Sequence, residues 1–483
     1  MRPCAVLHVT SIPGGGVDRH VRDIRARGRR PHLSWHCAEG MDVLEQPDAG
    51  LRFLPLDRGA LQDDPDALAP WLRERGVGLV HLHSLGRPAR ARATSIARAL
   101  DVPTAVTLHD VLFLRHDAFL QDTVEADPAW LDEVAPVLRD AARVLAPSRY
   151  IAELAERHVH GLRPEVIPNG IAPVPARTAT RHPAFGAPPR RVVAVLGAIG
   201  PHKGSRLLEA LAPMLRGSGT VIVVIGYMDS QAWPGWFDEH LFVHGPFEEP
   251  DAAALLHAYG ADVVLFPNTA PESFSYALSE AWAARVPVIV PPYGALGERV
   301  REHGGGWLLP EGFGAGDVAA LLARLDTEDG RREHVRVKSF LENHDPRRIP
   351  TLDAMTDALE DLYRRFGVPP TAPLDVASLP AQHLLAAQLD AGIFRQELVR
   401  LTQDVNELHE ARRRARDFER DTRAWIAKLE ADVATVQAEL RQEVARREAL
   451  ERTPLTTLLR ARISAWLPAG LKRALGKGRD AGR

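Results

Sequence analysis

The chain has 483 residues, more than one compact domain usually holds, and its 45% apolar and 25% charged residues are those of a globular protein with a sizeable core. Sixty basic against 63 acidic side chains leave a net charge of −3, so no basic excess points to nucleic acid. Two cysteines, Cys4 and Cys37, build no disulfide framework, and the apolar run Cys4 to Val9 is too short for a signal peptide. A reduced, cytoplasmic chain is expected.

Residues 3–365 repeat a short β-branched run, a turn and a longer amphipathic stretch. In chain order, strands are predicted at Ala5–Val9, Gly78–His83, Thr104–Leu108, Ala142–Ala146 and Glu165–Ile167. A second series follows at Arg191–Leu196, Thr220–Ile225, Leu241–His244, Asp262–Phe266, Pro287–Val290 and Gly306–Leu308. Helical patterns such as Ser205–Leu215, Asp251–Tyr259 and Tyr276–Ala284 separate them. This alternation predicts parallel sheets covered on both faces. The strands are too many for one sheet of ordinary width. The proline-rich stretch Pro173–Pro189 divides them into two doubly wound α/β domains, 1–175 and 176–344, facing a cleft. A helix over about 345–366 returns to complete the first domain.

The tail reads differently. Residues 367–380 are a linker with four prolines in 14 residues. Across 381–452 apolar residues alternate by three and four: Phe394, Leu398, Leu401, Val405, Leu408, then Ile426, Leu429, Val433, Val436 and Leu440. Both blocks share one heptad register, weakened between them by Arg412, Ala415, Glu419 and Thr422. A long coiled coil that makes a homo-oligomer is expected; the alternative is a long helix packed on its own catalytic domain. The tip, 453–483, carries seven Lys/Arg against one Asp. Leu455, Leu458, Leu459, Ile463, Trp466 and Leu467 fall on one helical face there, the pattern of an interfacial helix at a membrane. A cap on the coil or a docking helix for a partner is the other option.

Chemistry-bearing residues sit at strand ends. The first βα turn, Ser11-Ile-Pro-Gly-Gly-Gly-Val17, lets the backbone approach a ligand ahead of a helix with free N–H groups, although a tight turn with no ligand has the same signature. It is not spaced G-x-G-x-x-G, which disfavours a nicotinamide dehydrogenase. His83 and Ser84 close one strand and His109 and Asp110 the next, where open parallel sheets bind ligands. His83, Ser84 and Asp110 are acceptor-side candidates, and His109 is the foremost histidine because Asp110 is placed to orient or charge it; a structural histidine is the alternative. In the second half, Gly197 ends a strand and Lys203-Gly204 opens a helix, placing a mobile cation beside helix N–H donors, as a diphosphate requires. Glu272 lies after a buried strand and Glu280 eight residues on within a helix, so two carboxylates can grip two separate diols. The N–H groups from Ser273 to Tyr276 are left for an anion.

The glycine-rich first turn, Asn169-Gly170, Lys203-Gly204 and the Glu272-x7-Glu280 pair followed by Val286-Pro-Val-Ile-Val290 occur in the order of retaining family 4 glycosyltransferases, which residues 4–366 resemble. The resemblance implies the GT-B fold, two Rossmann-like domains with the donor held mainly by the second. It assigns donor binding to Gly15, Gly16, Gly197, Lys203, Glu272, Ser273, Phe274, Ser275 and Glu280. Glu272 takes hydroxyls of the transferred sugar, Glu280 the ribose, Lys203 the leaving diphosphate, and His109 the reacting centre. His109, Lys203 and Glu272 are thus the catalytic set. Two departures stand out: Ala198 follows Gly197 where the family commonly has Arg, with His202 and Arg206 as substitutes, and Ser275 stands where glycine is frequent, placing a side chain close to the sugar.

The implied activity is transfer of a sugar from a nucleotide-diphosphate sugar to a glycan or lipid-linked acceptor, with retention, at the inner face of the membrane. No Cys, His and Asp cluster at metal spacing appears in the sequence, so no metal or other cofactor is expected. An epimerase or phosphorylase on the same architecture accounts less naturally for the glutamate pair. A scaffold working through its coil is the alternative of a different class, which release of nucleoside diphosphate would exclude.

Overall fold

The computed structural model describes residues 5–11, 15–38, 41–45, 53–56, 61, 64, 66–116, 125–173, 189–231, 234–343, 349–368, 428–429, 431–448 and 454–466. The chain divides into two units, Met1–Gly392 and Ile393–Arg483.

The first unit holds two sheets. One has eight strands: β1 (Ala5–Thr10), β2 (His32–Ala38), β3 (Met41–Glu45), β4 (Phe53–Pro55), β5 (Val77–Leu82), β6 (Thr104–Thr107), β7 (Arg143–Ala146) and β8 (Glu165–Val166), in the order β4-β3-β2-β1-β5-β6-β7-β8. β3 pairs antiparallel with both β2 and β4, and the other pairings are parallel. The other sheet has seven: β9 (Arg191–Ile199), β10 (Thr220–Met228), β11 (Gly235–Asp238), β12 (Leu241–Gly245), β13 (Val263–Leu265), β14 (Val288–Val290) and β15 (Gly306–Leu308), ordered β11-β12-β10-β9-β13-β14-β15. Here β11 alone is antiparallel. Both central strands, β1 and β9, have a parallel neighbour on each side reached by opposite windings. Such a switch point opens a crevice beyond the carboxyl ends of the strands, and the two crevices belong to one cavity.

The two predicted series of strands form as expected, within a residue or two at most ends, but β2, β3, β4 and β11 were not anticipated. β2 was hidden by its letters. One face carries Leu33, Trp35 and Cys37, whereas the other buries His32, Ser34 and His36. Polar partners explain that face: His36 Nε2 lies 3.2 Å from Glu45 Oε2, and Arg25 donates to Ser34 Oγ at 3.2 Å and pairs with Glu45 at 2.5 Å. The helix expected over Ser205–Leu215 stops at Leu211 and continues as a 3₁₀ turn, Ala212–Leu215, because Pro213 has no N–H to donate.

Four helices position the site: α1 (Gly15–Arg27), α2 (Ser205–Leu211), α3 (Tyr276–Ala283) and α4 (Gly294–His303). A fifth, α5 (Leu352–Arg365), returns to the first sheet. Thr351 Oγ1 caps it, accepting from Ala354 N at 3.1 Å. Its buried face, Leu352, Met355, Leu359, Leu362 and Tyr363, packs on Val6, Leu79, Ala105 and Leu145 of the sheet. Each buried leucine there contributes about 1.5–3 kcal/mol. The chain crosses α5 at Gly170, where a Cβ would sit 2.3 Å from Thr351 O, so the close backbone approach requires glycine there.

In the second unit residues 431–448 are helical, with Leu429, Val433, Val436, Leu440 and Val444 between 41% and 63% exposed. A helix α6 (Leu455–Trp466) follows. The seam from Phe394 to Ile426, the linker after Val368 and the tip beyond Trp466 lie outside the described residues. Among the described residues no helix is long and apolar enough to cross a membrane.

Candidate functional site

A cavity of about 380 Å³ is lined by the ends of both sheets. From the first come Gly15, Gly16, Arg19, His109, Asp110 and Asn169; from the second come Gly197, His202, Lys203, Asn268, the segment Glu272 to Ala277, and Glu280. All the donor and catalytic residues singled out in the sequence therefore meet in one place. Ser273 Oγ reaches across to donate to the His109 carbonyl at 2.5 Å, tying the second domain to the first inside the cavity.

The phosphate side is built on tight turns. Gly204, at φ +83°, lies against Pro267, whose carbonyl a Cβ would meet at 2.0 Å; this close approach brings the Lys203 turn beside the 268–272 loop. Lys203 Nζ lies 3.4 Å from Glu272 Oε1, which also accepts from Asn268 Nδ2 at 3.0 Å. The pair is partly exposed, so it contributes under about 1 kcal/mol to stability and the lysine is available to a ligand. Beneath the next turn Arg299 of α4 is buried, donating to the Phe274 and Ser275 carbonyls at 3.0 and 3.1 Å and to Ser279 Oγ at 2.8 Å. Burial lowers its pKa to about 9, still cationic at neutral pH. A buried cation thus lies under the N-terminus of α3, reinforcing the positive end of that helix.

Ser275 lines the cavity, and its Oγ caps α3, accepting from Leu278 N at 3.3 Å. Its φ of +70° is unfavourable for a residue with a Cβ. Ser275→Gly should therefore cost little or add a few tenths of a kcal/mol, since glycine is a tolerable N-cap, whereas Ser275→Val should cost more than about 2 kcal/mol through strain and loss of the cap. Urea denaturation of the two variants checks this.

Ala198 is exposed and does not line the cavity, and neither does exposed Arg206; His202 does. Burial and neighbouring Lys203 lower the pKa of His202, so it adds hydrogen-bonding capacity rather than charge. The second cation in the cavity is Arg19 of α1, which the sequence had not singled out. Its Nη1 donates to Glu280 Oε1 at 2.7 Å, Glu249 lies 3.4 Å from its Nε, and the guanidinium stacks 4.2 Å over Tyr276. Burial raises the pKa of Glu280 and Arg19 opposes it. Arg19 falls one turn after the glycines, close enough in sequence to have been suspected.

On the acceptor side the histidines behave unlike isolated candidates. Asp110 does not orient His109: its Oδ1 accepts from Leu112 N at 2.8 Å, and burial raises its pKa to about 6 against that bond. Ser84 caps its own turn, accepting from Gly86 N at 3.4 Å. Neither Ser84 nor His83 lines the cavity; His83 sits directly behind His109, with His83 Nδ1 2.9 Å from His109 Nε2. His20 of α1 stands edge-on to His109 at 4.7 Å with Asn169 beside its ring; burial lowers the His20 pKa to about 4 and Asn169 opposes the fall. Two histidine triads have atoms within 4.8 Å, His8/His81/His83 and His20/His83/His109, which linear spacing had concealed. Most of those nitrogens are used in bonds to one another or to Tyr363 and Thr107.

A cavity between two doubly wound sheets, with a cation, a helix N-terminus and two glutamates on one wall, matches known proteins along the chain. Residues 14–174 match the family model Glycosyltransferase Family 4 and residues 179–339 match Glycosyl transferases group 1, about two thirds of the chain together. A phosphatidyl-myo-inositol mannosyltransferase of Mycobacterium leprae is 26% identical over 343 residues, 66% of this chain and 86% of that protein. The Anabaena protein Alr3699/HepE, solved with UDP and glucose, superposes with a TM-score of 0.54 at 16% identity, covering 75% of this chain and all of that one. Sucrose-phosphate synthase from Thermosynechococcus elongatus gives 0.53 at 16% identity, over 75% of this chain and 98% of its own. With both halves matched and the two-sheet architecture shared, this chain is a glycosyltransferase of family 4 with the GT-B fold.

Proposed function

We propose that the enzyme transfers a sugar from a nucleotide-diphosphate sugar to a glycan or lipid-linked hydroxyl, with retention of configuration. The observation that carries this is the convergence of Lys203, Glu272, the α3 N-terminus, Glu280 and His109 on one cavity. In this reading Glu280 accepts the ribose hydroxyls and Glu272 hydroxyls of the transferred sugar. Lys203, with the amides from Ser273 to Tyr276 and near Gly16, takes up charge on the leaving diphosphate as the glycosidic bond breaks. His109 faces the reacting centre. The leaving group is stabilised by cations and helix dipole alone, so the mechanism calls on no metal. Incubation with a panel of nucleotide sugars and release of nucleoside diphosphate tests it. A mannose-bearing donor belongs in the panel because a mannosyltransferase is among the relatives. No release with any donor, and no thermal stabilisation by any nucleotide, would refute the proposal.

The second unit is proposed to assemble and localise the enzyme. Val433, Val436, Leu440 and Val444, exposed at three- and four-residue spacing along the helix 431–448, support self-association of the coil. Truncation after Pro380 should turn a dimer or trimer into a monomer in sedimentation while nucleotide binding persists. Exposed Leu459 and Ile463 on α6, with seven cations over the last thirty residues, support a peripheral membrane contact. Deletion of 453–483 should abolish salt-sensitive pelleting with anionic vesicles; equal pelleting would leave the tip as a capping or partner-binding helix.

A further inference from the structure

Four buried imidazoles form a continuous chain across the first sheet, from α5 to the cavity. His32 Nδ1 lies 2.9 Å from His8 Nε2, His8 Nδ1 lies 2.9 Å from His83 Nε2, and His83 Nδ1 lies 2.9 Å from His109 Nε2. At the far end His32 Nε2, with no hydrogen-bond partner of its own, faces Glu360 Oε1 at 3.8 Å. At the near end His109 lines the cavity. None of this is needed to hold the fold, since apolar side chains would fill the same space without desolvating ring nitrogens.

We propose that Glu360, acting through His32, His8 and His83, fixes His109 as its Nε2–H tautomer, so that His109 Nδ1 offers a lone pair to a hydroxyl in the cavity. The proposal rests on the sugar-transfer reading of that cavity. A neutral imidazole has one donor and one acceptor nitrogen. A chain of four with every bond satisfied therefore has only two states, all Nε2–H or all Nδ1–H, which differ at both ends. In the second state His32 would point a lone pair at Glu360 and His109 would point an N–H into the cavity. In the first, His32 Nε2–H faces the carboxylate, and the donors run His109 to His83, His83 to His8, His8 to His32.

Glu360 is held as an anion. Burial would raise its pKa, but the adjacent His32 ring and the bonds from Arg30 and Arg29 N outweigh this and bring it to about 2. Arg30 contributes Nε and Nη2 at 3.0 and 2.6 Å. A carboxylate accepts and does not donate, so it selects the first state. All four rings are neutral, since burial lowers each pKa and the neighbouring His20, His81 and Arg25 oppose a further charge. His81, equally buried, stands outside the chain, its nitrogens 2.8 Å from Tyr363 Oη and Thr107 Oγ1. His32, His8, His83 and Glu360 are thus positioning residues for His109.

The test is imidazole ¹⁵N spectroscopy of the full-length chain, with the His109 signal assigned by its loss in His109→Ala, alongside steady-state kinetics. Wild type should show His109 protonated at Nε2 and unprotonated at Nδ1. Glu360→Gln, which can donate or accept, and His8→Phe, which cuts the chain but leaves the Glu360–Arg30 pair, should each give a mixed or reversed His109 tautomer. Both should lower kcat about tenfold with KM for the donor sugar nearly unchanged, the effect of losing one hydrogen bond at the reacting centre. His81→Gln should lower stability without moving the tautomer. The same His109 tautomer in wild type, Glu360→Gln and His8→Phe, or a loss of rate that tracks thermal stability across all three variants, would overturn the relay. Because the spectrum needs no turnover, a wild-type protein inactive on every nucleotide sugar but with the expected tautomers would refute the sugar-transfer reading and leave the relay standing.

Discussion

Lys203→Ala should lower kcat by about 10²- to 10³-fold, the scale of removing one preorganised group that stabilises developing charge. The effect on stability should be slight. Lys203 meets Glu272 in a partly exposed pair at 3.4 Å, and Asn268 remains to hold the same carboxylate oxygen. The effect on donor KM should also be small, because the intact donor already spreads its charge over two phosphates and only bond breaking concentrates it on the leaving group. Lys203→Arg keeps the charge but demands a planar fork where a point charge fits, so it should recover only part of the rate. Single-turnover measurements separate the steps. A rise in KM with kcat intact would mean that the lysine grips ground state and transition state equally, and the diphosphate assignment would then rest on the α3 amides alone.

How far the sequence carried depends on the kind of residue. The strands of both switch points are mostly apolar and rich in valine and leucine, buried on both faces, and such runs are legible without a structure. The Glu272 and Glu280 spacing likewise carries its own geometry, because a short loop and about one helical turn separate them and leave both on the cavity wall. β2 was not legible, since one of its faces is made of His32, Ser34 and His36, letters that ordinarily mark a surface. The same cause hid the histidine chain. His32 and His8 lie on β2 and β1, His83 and His109 just beyond the ends of β5 and β6, and only the parallel registers of these four strands bring them abreast. Asp110 was misjudged for the converse reason: adjacency in sequence at a strand end turns successive side chains apart, and the carboxylate found a backbone amide two residues on.

The missing arginine at 198 shows what a structure adds to a motif. Counted along the sequence, the cavity is one cation short. In three dimensions Arg19 enters from the opposite domain and Arg299 lies beneath the α3 turn, while Ala198 points to solvent. Charge at a cleft is set by every surface that closes on it. The cation supply has moved to the first domain and to the layer below the site, so it depends on the two sheets being together in a way that a cation on the second domain would not.

That dependence gives the last prediction, at Glu280. Glu280→Gln should weaken nucleoside diphosphate binding by about 1.5–3 kcal/mol, the worth of hydrogen bonds to a charged acceptor, or about one to two orders of magnitude in Kd. The sign of the pH dependence follows from its surroundings. Burial raises the Glu280 pKa and Arg19 opposes the rise; Glu249 pushes the same way as burial. The carboxylate is the good acceptor, so affinity is full above the folded pKa and falls as pH drops through it. Arg19→Ala removes the opposing charge and leaves the carboxyl buried beside Glu249 and Tyr276, so its pKa must climb further. The acid-side loss of nucleotide affinity should therefore begin at a higher pH in Arg19→Ala than in wild type, and should vanish from the profile in Glu280→Gln, which has no proton to take up there. Calorimetric titration of nucleoside diphosphate across the acid range with the three proteins makes the comparison. Superimposable profiles would show that the ribose is held elsewhere and that the 2.7 Å pair serves only to join the domains. Tighter binding in Arg19→Ala at every pH would show instead that the arginine competes with the nucleotide for Glu280, and that the pair must open before donor can enter.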